Sequence, residues 1–240
     1  MIRFTFTAKK AQVYEIWKEL QMFNKITKKV VQKNITKYAY YIANHWLGRK
    51  PKMSKQAKTF TPEDLRRVLD HVATRKHAAR NRAMVLFSHL AGVRISELVA
   101  IRYNDVVDEQ GHMREEFRLR AEETKGKHAR TVFLNQKLRK ELAAYIKVTS
   151  FSSADSKLFR SQKGDFSANT GAQFFHYLYA AAGILGASSH SGRRSCLTSL
   201  SSKGVSIRVL MKIAGHRSSQ STIRYLDASD DMLRKAMELV

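Results

Sequence analysis

The chain has few of the residues that cross-link or interrupt a fold. Cys196 is the one cysteine in 240 residues. It can form neither an internal disulfide nor a multi-cysteine zinc site, and a reducing cytoplasm suits it. Two prolines and 11 glycines leave long stretches free to run as helices. No apolar run of about 18 residues is present, which excludes a helical membrane span. The opening MIRFTFTAKK lacks the apolar centre of a signal peptide. Acids are scarce too: 20 Asp and Glu face 44 Lys and Arg, a formal net charge of +24. Such a surplus repels itself unless a polyanion neutralises it, and nucleic acid is the usual one. A ribosomal or merely basic surface protein would also satisfy the charge alone. At 43% hydrophobic residues the chain can bury a core, which excludes wholesale disorder.

Organisation follows from periodicity. Between residues 13 and 47, Val13, Ile16, Trp17, Leu20, Phe23, Ile26, Val30 and Ile35 recur at helical spacing with lysines between them. Residues 1–47 therefore read as a short helical amino-terminal region. The stretch 48–60, GRKPKMSKQAKTF, holds five basic residues and no acid. Gly48 and Pro51 break a helix there, so it reads as a solvated linker. Its Arg49, Lys50, Lys52 and Lys55 are candidates to follow a phosphate backbone. A second domain is expected over 61–240, opened by Thr61 as N-cap, Pro62 in the first turn and two early acids. Helices are expected at about 62–74 and 78–90, with one short helix after Gly92. More follow at about 136–148, 168–182, 190–202, 206–214, 219–225 and 229–239. Alternation at 117–120 and 130–134 predicts a two- or three-stranded antiparallel sheet. Lys125, Lys127, His128 and Arg130 lie at or beside its basic hairpin tip. The fold class is mainly α with a small antiparallel sheet, an α+β domain.

Several residues can carry chemistry. Arg94 follows Gly92 at the mouth of a helix, where a guanidinium can grip a phosphate bidentately and Glu97 can orient it. A lysine on the hairpin, Lys125, can reach a groove and donate a proton. His190 and Arg193 are three apart, on one helix face, near a helix N-terminus that attracts anions. Arg194, the next residue, points to a different face. His216 follows a helix that stops at Gly215, and Tyr225 comes nine positions later (225 − 216). Each residue alone has a commoner structural reading: a surface ion pair for Arg94, a soluble turn for Lys125, a cap for His190, core packing for Tyr225. The histidines lack the close spacing and carboxylate companions of a metal site, so neither metal nor cofactor is expected.

Together and in this order, on a basic chain, these residues resemble the catalytic domain of the tyrosine recombinases, the phage-integrase family. AGVRISEL at 91–98 resembles the family's first arginine box, and HSGRRSCLTSLSSKGVSIRVLMKIAGHRSSQSTIRYL at 190–226 its second. The resemblance implies Arg94 and Arg193 as catalytic arginines, Lys125 as hairpin lysine, His190 and His216 as paired histidines and Tyr225 as nucleophile. It implies double-stranded DNA as partner and a homotetramer on paired sites, compatible with a monomer in solution. It also implies nucleoid association and a tail helix that docks in a neighbour. Lys127, His128, Arg130 and Arg194 join the linker cations as expected DNA contacts. Members often carry histidine where this chain has Arg194, a position outside the catalytic six. About 48 residues precede the linker, a reduced form of the family's four- or five-helix core-binding domain. The implied activity is site-specific cleavage and rejoining, leading to integration, excision or inversion. The alternatives are relaxation of DNA as by a type IB topoisomerase, or a DNA-binding regulator that kept the scaffold without the chemistry.

Overall fold

A computed structural model of the chain describes residues 56–123 and 128–225, with Arg234, Met237 and Glu238 beyond them. The chain divides into two units between Met53 and Ser54, and everything described belongs to the second. The amino-terminal helical region, the linker cations Arg49, Lys50, Lys52 and Lys55, the hairpin residues Lys125 and Lys127, and the expected tail helix lie outside the described residues, apart from the three isolated tail positions.

The domain begins earlier than expected. Lys58, Thr59 and Phe60, assigned by composition to a solvated linker, are packed. The Lys58 ammonium pairs with the Asp64 carboxylate at 2.7 Å, and its backbone N–H donates to the Gly186 carbonyl at 3.1 Å. Phe60 is buried edge-on to Tyr179, with its N–H on the Ser195 hydroxyl at 2.7 Å. An apolar ring just before an N-cap has a core to join, which the surrounding lysines conceal.

Helix α1, Pro62–Ala73, starts where the local chemistry dictates. The Thr61 hydroxyl accepts from the Asp64 N–H at 3.1 Å, and the Asp64 carboxylate accepts from the Thr61 N–H at 3.3 Å. Helix α2, Ala78–Ala91, is apolar over most of its circumference and lies at the centre of the core. The chain then forms α3, Ile95–Ala100, and α4, Tyr103–Val106, where one short helix is expected. The break falls at Ile101, and the Asp105 carboxylate caps the new start by accepting from the Arg102 N–H at 2.8 Å.

Strands β1, Glu116–Leu119, and β2, Arg130–Phe133, pair antiparallel with Leu119 opposite Arg130. Helix α5, Gln136–Lys147, follows. A second hairpin, β3 (Arg160–Ser161) with β4 (Gly164–Asp165), is too short to leave an alternation in the sequence. Helices α6 (Ala168–Ala181), α7 (Ser191–Ser202), α8 (Ile207–Ala214) and α9 (Ser219–Ile223) complete the described domain. Helix α2 packs against α1, α5 and α7, while α8 packs against α7, α9 and β2. A smaller apolar cluster of Leu197, Leu210 and Ala214 lies beneath the carboxyl-terminal elements. No helix among the described residues is long and apolar enough to cross a membrane.

Helices α2 and α7 cross at a point set by glycine. A Cβ on Gly192 would lie 2.9 Å from the Ser88 Cβ and 3.1 Å from the Ser88 carbonyl carbon. This closeness lets the first turn of α7 reach the end of α2. Gly192→Val should therefore lower unfolding free energy by about 1–3 kcal/mol, read by urea denaturation; an unchanged midpoint would show that the helices can separate without loss.

Candidate active site

Arg94 is the N-cap of α3, in extended backbone with φ −74° and ψ 155°. Its N–H donates to Glu97 Oε2 at 2.8 Å and its Nη1 to Oε1 at 2.9 Å. Leu98 and Val99 are buried, so α3 turns inward and takes Glu97 with it, to 0% exposure. A second guanidinium meets the same carboxylate: Arg130 Nη2 lies 2.6 Å from Oε2 and donates to it. Burial alone would raise the Glu97 carboxyl. The hydrogen bond and charge of Arg130, the Arg94 N–H and the Arg193 charge instead hold it below the ordinary carboxylate value.

Arg193, on the first turns of α7, is 3% exposed. Its Nη1 donates to the Gly92 carbonyl at 2.8 Å, and its Nη2 to the Ala214 carbonyl at 2.6 Å. Burial, then the charges of Arg94 and Arg130, push it down to about 10, opposed by Glu97 and Tyr225. It therefore stays charged at neutral pH. Arg193 Nη2 also lies 2.9 Å from His216 Nε2. An arginine offers no acceptor, so this imidazole nitrogen is the unprotonated one. The proton sits on Nδ1, which donates to the Thr222 hydroxyl at 2.8 Å. Burial and the charges of Arg193, Arg94 and Arg130 push His216 down to about 4, which keeps the ring neutral. Gly215, left-handed at φ 61°, ends α8 and turns His216 back toward α7. A Cβ there would meet the Arg130 side chain, with Nε at 3.1 Å.

Tyr225 lies two residues past α9, its N–H on the Thr222 carbonyl at 2.9 Å. Its ring stacks on His216, centroids 5.9 Å apart and planes at 16°. Its other surroundings are the small apolar cluster and Arg194, whose guanidinium carbon is 5.7 Å from the ring centroid. Arg194 thus points at the site, not away from it as its place beside Arg193 suggests, and its Nε donates to the Thr59 hydroxyl at 3.0 Å. Arg130, expected among the DNA-facing cations, is placed otherwise: its side chain is 9% exposed and its guanidinium is turned inward onto Glu97. His190 is the exposed N-cap residue of α7, one turn before Arg193, with its N–H on the Ser188 hydroxyl at 3.3 Å. His128 is exposed, two residues before β2.

The structure thus joins Arg94, Arg193, His216 and Tyr225 of the residues singled out by sequence. Around them stand Glu97 in its expected place beside Arg94, Arg130 and Arg194 in poses other than those expected, and Thr222, which sequence reasoning missed. Two guanidiniums, those of Arg94 and Arg130, pair with the Glu97 carboxylate and a third, that of Arg193, feels its charge. This leaves a positive excess beside a phenol ring, an arrangement suited to holding an anion. Residues 58–232 match the profile of the phage integrase family. The chain belongs to that family. It is 27% identical over 195 residues to tyrosine recombinase XerA of Pyrococcus furiosus, covering 79% of this chain and 64% of that protein. This chain thus matches less than two thirds of that relative's length. A crystal structure of XerA recombinase superposes with a TM-score of 0.63 at 21% identity, covering 95% of this chain and 82% of that one. The Tn1549 transposon integrase, solved with a circular intermediate DNA, gives 0.61 at 18% identity, covering 92% of this chain and 82% of that one. These likenesses establish the fold of the catalytic domain.

The neutral histidines make stability depend on pH. His216 and the half-buried His89 both titrate at about 4 instead of 6.5, His89 through desolvation and then Lys137. Between those values the unfolded chain binds more protons than the folded one, so stability rises with pH and falls on acidification. Thermal midpoints should drop steadily from pH 6.5 towards 4, and His89→Leu should flatten part of that slope. A profile flat across the window would mean that both rings are charged in the folded state.

Proposed function

We propose that the chain is a site-specific recombinase that cleaves and rejoins double-stranded DNA through a phosphotyrosyl link at Tyr225. The observation that carries the proposal is the line from Arg193 to His216 to Tyr225, a buried cation hydrogen-bonded to a neutral imidazole that stacks on the phenol. Relatives of the same fold were solved on DNA: the Tn1549 integrase on a circular intermediate and XerH on its difH substrate.

In the proposed step the Tyr225 oxygen attacks the scissile phosphorus as the bond to the 5′ oxygen breaks. The phenolic proton passes to His190, and Lys125 protonates the departing 5′ oxygen. The products are a 3′-phosphotyrosyl ester and a free 5′ hydroxyl. One ester replaces another, so the bond energy is kept for rejoining, when a 5′ hydroxyl of a second strand attacks and releases the phenol. Arg94 and Arg193 neutralise the nonbridging oxygens of the pentacoordinate state. His216, neutral and held by Thr222, orients the Arg193 guanidinium. The linker cations with Lys127 and His128 follow the DNA backbone. A homotetramer on two sites would exchange the strands, and the arrangement of those sites would decide between integration, excision and inversion.

The test is a suicide duplex nicked beside the scissile phosphate, which traps the covalent species. Wild-type protein should give a denaturation-resistant adduct and Tyr225→Phe none. Arg94→Ala and Arg193→Ala should each slow adduct formation by about 10²–10³-fold. An adduct that survives in Tyr225→Phe, or none from wild type on any inverted-repeat substrate, sinks the proposal.

A further inference from the structure

We propose that Arg130 is a positioning residue for strand cleavage, holding Glu97 and the His216 segment in register without touching DNA. This rests on the recombinase reading above. Three segments meet at its guanidinium. Nη2 and Nε donate to the two oxygens of Glu97 at 2.6 and 3.4 Å, and Nη1 donates to the Ile213 carbonyl at 2.8 Å. Glu97 in turn fixes both the backbone and the guanidinium of Arg94. Ile213 lies in the last turn of α8, where carbonyls lack helical partners and a cation is favoured. The methylene stem of Arg130 fills the space beside Gly215 that a Cβ would need, immediately before His216. Arg130 itself is the first residue of β2.

One planar fork therefore braces the helix of Arg94, the turn of His216 and the hairpin. Lysine carries the same charge but cannot present three donors at these angles. The strand pattern agrees with the inward pose: Arg130 pairs with the fully buried Leu119 and shares its face with buried Val132.

The experiment measures single-turnover cleavage of the nicked duplex at saturating protein, and DNA affinity across a salt series, for wild type and Arg130→Lys. Cleavage should slow by about 10²-fold, since small misplacements at a reacting centre cost that much. Affinity should stay within about twofold with its salt dependence unchanged, because no phosphate contact is lost. Arg130→Ala supplies a second readout: added guanidinium ion should restore part of its rate. Three results overturn the proposal: weaker binding with a salt slope lowered by about one and a normal saturated rate; wild-type behaviour throughout; or unfolding of Arg130→Lys at the assay temperature. Wild-type protein that forms no adduct instead sinks the recombinase reading, and this proposal with it.

Discussion

Glu97 is fully buried, bonded to Arg94 and Arg130, and close enough to Arg193 for its charge to be felt there. That arrangement allows a chain of net charge +24 to gather three guanidiniums in one place. Two like charges 4 Å apart repel by about 4 kcal/mol at a near-surface dielectric, and one carboxylate placed between them reverses the sign of the nearest terms. Removing it would leave buried cations without a counterion, a loss of about 3–5 kcal/mol in comparable cases. The neutralisation is incomplete. One carboxylate cannot balance three arginines, and a positive excess remains on the cluster.

Backbone dipoles do the rest. The Gly92 carbonyl at the end of α2 and the Ala214 carbonyl at the end of α8 both accept from Arg193. Ile213 accepts from Arg130, and Gly215 from Arg94 at 3.4 Å. Two helix carboxyl ends, each with partnerless carbonyls and a partial negative charge, are thus converged on the same cations. The close crossing at Gly192 and Ser88 makes the convergence possible by bringing α7 against the end of α2. Fold and site are therefore one arrangement, since what caps the helices also holds the guanidiniums.

What the sequence made legible was local. Thr61, Pro62 and Asp64 announce α1 within four residues, and Gly92 and Gly215 mark helix ends through left-handed backbone. The union of Arg94, Arg193, His216 and Tyr225 was readable only as an ordered set, because each residue alone has a commoner structural use. What stayed hidden depends on distant partners. Arg130 meets Glu97 across 33 positions, and Arg194 meets Thr59 across 135. A basic hairpin invites a DNA-facing reading for every cation on it. The inward face of Val132, two residues on, is the signal that separates Arg130 from its neighbours. Thr222 has no such marker, since a threonine in a short helix looks the same with or without an imidazole to hold. The break after Ile101 and the small β3–β4 hairpin are likewise set by tertiary contacts and leave no period to read.

The single thiol also makes motion between α2 and α7 measurable. Cys196 lies one turn along α7 from Arg193, buried, with its Sγ 3.2 Å from where a Gly92 Cβ would be. Burial pushes it up to about 11, so in the closed protein it is both shielded and protonated. A thiol reagent can reach it only when the α2–α7 contact parts. The rate of alkylation is thus an internal clock for breathing at the floor of the arginine cluster, with no other cysteine in the chain to confuse the signal.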